Sequence, residues 1–266
     1  MPKKKVNDIN LYFEITGKGE PLLLIHGLGS STRDWEEQVP FFSDKYQVIT
    51  IDLRGHGKTD KPKGPYSISM FAKDIAELLK SLMLTSVNLV GISLGGTIGF
   101  QFAVDYPNMA KSIVIVNSGV EFKLDSLKAR YNFFVRKTIV KLIGMKKMGE
   151  VLAPRLFIKP EQEELRKRLI IRWAENDKKA YLSALKSLKG WSIKDRIHMI
   201  KCPTLVIGSD EDYTPTSIKK EYTSLIPNAK LVEIKDARHA VTIEKPTEFN
   251  IILMDFLSNL FLKKKK

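Results

Sequence analysis

The chain has 266 residues, 44 Lys and Arg against 30 Asp and Glu, a formal net charge of +14, and 43% hydrophobic side chains. That length suits one large α/β domain or two small ones, the composition allows a sizeable core, and no apolar run approaches the roughly 18 residues of a membrane span. One cysteine, Cys202, excludes an internal disulfide, and four dispersed histidines, His26, His56, His198 and His239, give no metal-ligand spacing.

The charge is uneven. Residues 121–189 carry 18 basic and 8 acidic side chains, net +10, whereas residues 1–120 carry 13 and 12, net +1. No nucleic-acid-binding motif accompanies the excess, so nucleic acid is not an expected partner. The lysines either solvate helix faces or draw an anionic partner to the middle of the chain. The basic N-terminus, Met1 to Asp8, has no apolar core behind it, which argues against a secretory signal and for a cytoplasmic location.

In chain order, Asn10 to Thr16 reads as a strand, in a hairpin with Val6 to Asp8. Leu22 to Ile25 and Val48 to Ile51 follow as continuously apolar strands, the pattern of strands covered on both faces. After the turn-rich stretch Asp52 to Gly57, Met70 to Met83 reads as a helix and Val87 to Val90 as a strand. Gly91-Ile92-Ser93-Leu94-Gly95 comes next and opens a helix over Leu94 to Asp105; Ile113 to Val116 is a further strand. The strand–helix alternation predicts a doubly wound, mainly parallel sheet. It breaks between 121 and 190. There, Leu127, Tyr131, Phe134, Val135, Leu142 and Met145 fall near one side of a helix, and Glu161 to Asn176 and Lys178 to Leu188 read as further helices. Alternation resumes with Thr204 to Ile207 and Leu231 to Ile234, and a last helix runs into Lys263 to Lys266. The expected organisation is an α/β core of 1–120 and 190–266 with a helical insertion, 121–189, over the strand ends, where ligands bind.

The G-x-S-x-G pentapeptide carries the chemistry. A serine on a tight strand-to-helix turn is pushed out of the sheet, and the helix beginning beside it aims its positive end at any anion formed there. Its hydroxyl needs a base, and imidazole titrates near neutrality. His239, in the loop after the last strand, is the candidate; His198 reads as surface and His56 as structural or rim. The base needs a carboxylate to fix its tautomer, and the loop after Thr204 to Ile207 offers Asp210, Glu211 and Asp212. An oxyanion would be held by the backbone N–H groups of Leu94 and Leu28. His26, Trp35, Phe134 and Trp191 are candidate pocket residues.

The loop His26-Gly27-Leu28-Gly29, the segment Asp52-Leu53-Arg54-Gly55-His56-Gly57, the Ser93 pentapeptide and the order serine, acid, histidine together resemble the α/β-hydrolase family over nearly the whole chain. Glu244-Lys245-Pro246 after His239 adds to the likeness. The resemblance implies a Ser93–His239–acid triad, no cofactor, and a helical cap at 121–189. Along the family's acid loop, the counts from Gly208 and from Pro215 land on Glu211, and the count from Pro203 lands on Asp212 if the loop is one residue shorter; Asp212 is favoured, with Asp210 second. Within the family the chain looks similar to small serine esterases and enol-lactonases, which implies a small ester or lactone as substrate. Alternatives are a methyl ester on an acidic carrier protein, carbon–carbon bond hydrolysis, and a non-catalytic receptor.

Overall fold

The computed structural model describes residues 2–263, with side chains to residue 260, so Lys264 to Lys266 lie outside the described residues. Eight strands form one sheet: β1 (Lys3–Val6), β2 (Ile9–Thr16), β3 (Glu20–Ile25), β4 (Tyr46–Ile51), β5 (Val87–Ile92), β6 (Ala110–Val116), β7 (Thr204–Ser209) and β8 (Ala229–Ile234). Their spatial order is β1-β2-β4-β3-β5-β6-β7-β8. β1 and β2 pair antiparallel, and β2 joins β4 antiparallel; from β4 to β8 every pairing is parallel. The sheet is thus mainly parallel and doubly wound, as the strand–helix alternation predicts.

Strand periodicity divides the core. On β3, Leu23 and Ile25 enter one apolar cluster while Leu22 and Leu24 enter the other, and all four are buried. On one face lie α2 (Ile68–Ser81) and α3 (Leu94–Asp105), which contribute Phe71, Ile75, Ile98 and Phe102. On the other lie α1 (Gln38–Phe42) and α10 (Pro246–Lys263), which contribute Phe42, Phe249, Leu253 and Leu257. Ser67 caps α2 by accepting from the Met70 N–H, one of the donors a helix start leaves unpaired.

Between β6 and β7 come α4 (Leu127–Leu142), α5 (Met145–Leu156), α6 (Glu163–Ala174) and α7 (Lys178–Leu188). These helices bury a small cluster of their own, with Val140, Met145, Met148, Trp173, Tyr181 and Leu185 at its centre. After β7 come α8 (Thr216–Ser224), β8 and the short α9 (Val241–Glu244). The apolar side predicted for α4 does not pack inward: Leu127, Tyr131, Phe134 and Leu142 are all exposed. Val140 is the one fully buried residue of that helix. Among the described residues, no helix is long and apolar enough to cross a membrane.

Candidate active site

Ser93 sits at the junction of β5 and α3 with φ +55° and ψ −116°, a backbone state that costs a residue with a Cβ on the order of 1–3 kcal/mol. The strain persists because its surroundings fix it. The Ser93 N–H donates to Val116 O at 2.9 Å, and Ser118 Oγ donates to Ser93 O at 2.8 Å. The two glycines of the pentapeptide are needed for close approach. A Cβ on Gly91 would lie 2.3 Å from Gly95 O, and one on Gly95 would lie 2.2 Å from Ile25 O.

The three carboxylates after β7 separate into three roles. Asp210 accepts from the N–H groups of Asp236 and Ala237, and so ties down the loop before His239. Glu211 pairs with Arg238 at 3.0 Å. Asp212 meets His239: Nδ1 and Oδ1 are 2.6 Å apart. With Nδ1–H donating to the carboxylate, Nε2 is left as the basic nitrogen. The second oxygen of Asp212 pairs with Lys219 Nζ at 2.7 Å, and both side chains are 0% exposed. Burial alone pushes the Asp212 carboxyl up. The hydrogen bond and charge of His239, with the ammonium of Lys219, outweigh it and hold the group at about 2. Tyr213 stacks on the imidazole, ring centroids 4.5 Å apart.

Sequence reasoning missed two of the supports. Asn117, at the end of β6, donates from Nδ2 to the carbonyls of Arg238 and His239, each at 3.1 Å, and accepts from Ser209 N–H at 2.9 Å. It ties the His239 loop to the end of β7. Lys219 was hidden among surface-like lysines; its only signal is spacing, since Lys219, Tyr222 and Thr223 bury together at i, i+3 and i+4 of α8.

A cavity of 320 Å³ joins these parts. Ser93, His239, Leu28, Leu94 and Trp191 all line it, below a wall of Leu152, Leu156, Phe157, Leu165, Leu169 and Trp173 from α5 and α6 and the residue after α5. Its size and mostly apolar wall fit a small-molecule site. Leu28 lies in a tight turn in which Ser30 N–H donates to Gly27 O. Trp191 is held by its Nε1–H, which donates to Gln101 Oε1 at 2.8 Å.

Three expected pocket residues do not line this cavity. His26 is fully buried: its Nδ1 bonds Gly27 O at 2.7 Å and its Nε2 accepts from Leu53 N–H at 3.0 Å. Burial lowers its pKa to about 4, so it is a neutral strut between two loops. Trp35 turns to the opposite face of the sheet and packs in the α1–α10 core. Phe134 is 63% exposed on the outer side of α4. Of the other histidines, His56 is buried against His26, bonding Arg54 O, and His198 is exposed. Among the described residues, no group of three or more His, Cys, Asp or Glu side chains is placed to hold a metal ion.

The model of the α/β hydrolase fold family matches residues 20–141. A protein of Yersinia enterocolitica named "Putative carbamate hydrolase RutD" is 30% identical over 265 residues, covering 93% of this chain and 92% of that one. The chain belongs to the α/β-hydrolase fold family. The chain is also similar to 3-oxoadipate enol-lactonase 2 of Acinetobacter baylyi, 26% identical over 91% of each chain. In three dimensions the chain is similar to the enol-lactonase from Burkholderia xenovorans LB400, with a TM-score of 0.90, 26% identity, and coverage of 97% of this chain and 100% of that one. It is accordingly an enzyme of the hydrolase class.

Proposed function

We propose that this hydrolase cleaves a carboxylic ester or lactone of a small molecule through an acyl-enzyme on Ser93. His239 Nε2 takes the hydroxyl proton as Ser93 Oγ attacks the carbonyl carbon, then returns it to the leaving oxygen. Asp212 orients the imidazole and stabilises it when charged. The N–H groups of Leu28 and Leu94 receive the oxyanion, a contact worth about 10²–10³ in turnover per donor. Water, activated by the same imidazole, releases the acid. This chemistry asks for no cofactor.

The observation that carries the reading is the 2.6 Å bond to a buried, ionised Asp212 from His239, which lines the same cavity as Ser93. Residues 121–189 then act as a cap over a core of 1–120 and 190–266, supplying most of the apolar wall. The enol-lactonase relatives favour a small-molecule substrate; a carrier-linked ester has no counterpart among the relatives named above. The test is hydrolysis of p-nitrophenyl acetate and butyrate, with labelling by a fluorophosphonate. Wild type should turn over and label, and Ser93→Ala should do neither. Equal rates from the two proteins would remove the proposal.

A further inference from the structure

Among the described residues, five charged side chains line the cavity, and four of them have a local explanation. Arg172 bonds Glu36 at 2.6 Å and the Arg33 carbonyl at 2.9 Å, and Arg168 approaches the same Glu36 at 3.6 Å. Glu121 pairs with Lys123 at 2.8 Å. Asp34 lies by Ser30, with Arg172 and Arg33 nearby, and burial pushes its carboxyl up to about 6 despite them. The fifth, Arg136 on α4, has no carboxylate within 4.0 Å among the described residues. Its Nε–H donates to Tyr181 Oη at 2.5 Å. Its guanidinium lies over the rings of Trp173 and Tyr181, 5.9 and 5.6 Å from their centroids.

The partners of Arg136 fix its position without neutralising it. Burial raises the Tyr181 pKa, so the phenol meets the guanidinium as a neutral acceptor. Trp173 and Tyr181, packed edge to face at 5.7 Å, form a rigid shelf beneath it. Among the described residues, neither Nη nitrogen has a hydrogen-bond partner. A planar fork of donors held at the wall of an apolar cavity matches a carboxylate, which accepts two parallel N–H bonds. The net +10 of residues 121–189 favours the approach of the same kind of ligand. Resting on the serine-hydrolase reading, we propose that Arg136 binds a free carboxylate of the substrate, and that the substrates are esters or lactones carrying a second, anionic group.

The test compares kcat/KM for p-nitrophenyl butyrate with kcat/KM for the p-nitrophenyl half-esters of succinate, glutarate and adipate. In wild type at least one half-ester should exceed the neutral ester. That preference should fall about 10- to 100-fold in Arg136→Gln, the range of a hydrogen-bonded charge. Arg136→Met, which keeps the stem over Trp173, should show the same loss. Lys137→Gln removes a neighbouring charge outside the cavity lining and should leave the ratio intact. In parallel, succinate and succinamide are titrated into the Ser93→Ala protein with and without Arg136→Gln. Succinate should bind tighter, and only when Arg136 is present. Ser93-dependent hydrolysis with the same ratio in wild type and Arg136→Gln overturns the carboxylate site and leaves the hydrolase reading standing. Arg136-dependent succinate binding without Ser93-dependent hydrolysis does the reverse. A wild type that prefers neutral ester to all three half-esters also overturns the inference.

Discussion

Replacing Lys219 by methionine isolates the buried charge that supports Asp212. Both side chains of the pair are 0% exposed, and Nζ lies 2.7 Å from Oδ2. Removing one member of such a pair leaves an uncompensated buried charge, at a cost of about 3–5 kcal/mol. Two structural facts set the value here near the lower end. Methionine keeps much of the aliphatic stem that packs against Gly208, so little cavity forms. His239 also goes on holding Oδ1. A loss of about 3 kcal/mol corresponds to a fall in Tm of about 6–12 °C for a domain of this size. The pH dependence identifies the cause. Asp212 is held at about 2, below its ordinary 3.8, so the stability it contributes is present above 3.8 and is lost as pH falls through 2. The deficit of Lys219→Met should therefore be widest near neutrality and narrow as the medium becomes acidic enough to protonate the carboxyl. Urea unfolding at pH 7, 5 and 3.5 measures it, and the acid limb of kcat/KM should move to higher pH in the same variant. Equal stability at pH 7, or a deficit that does not change with pH, would show that Lys219 acts by packing rather than by charge.

Three further outcomes are expected. Ser93→Gly should abolish hydrolysis yet raise stability by about 1 kcal/mol, the strain of φ +55° relieved less the entropy glycine adds to the unfolded chain; a urea midpoint at or below wild type contradicts this. Asp212→Asn should lower kcat by about 10⁴, the scale of the same change in a Ser-His-Asp protease, because an amide no longer fixes the imidazole tautomer; steady-state kinetics with the fold checked by circular dichroism decide it. For Asp34, burial raises the folded pKa to about 6, above the unfolded 3.8. Its contribution is present below 3.8 and is lost as pH rises through 6, so wild type should lose Tm over pH 4.5 to 7 relative to Asp34→Asn. Parallel Tm profiles for the two proteins would contradict that.

The parts of this enzyme that are local in sequence could be read from it. Runs such as Leu22 to Ile25 are apolar at every position because both sheet faces are covered, and a glycine on either side of Ser93 reports a backbone that a Cβ would block. The acid was harder. Glycine and proline counting around 208–215 leaves a one-residue ambiguity, and adjacent carboxylates on a loop point in different directions: Asp210 to backbone N–H groups, Glu211 to Arg238, Asp212 to His239. Which of them turns toward the imidazole depends on the loop after β8, which lies 26 to 27 residues on and supplies the partners of all three.

The misplaced pocket residues share one cause. Aromatic character, or nearness in the chain to the loop after β3, points to His26, Trp35 and Phe134 as pocket residues. Nearness along a chain does not determine the face of a sheet, and Trp35, seven residues after Leu28, has already crossed to the opposite core. Charge shows the same limit and a way past it. The excess of residues 121–189 is countable, but part of it is met by acids outside that segment, in pairs such as Arg172 with Glu36 and Lys159 with Asp236. Only the fold separates a cation that already has its anion from one that lacks it, and among the charges that line the cavity the arginine that has no acid among the described residues is the one most able to select a substrate.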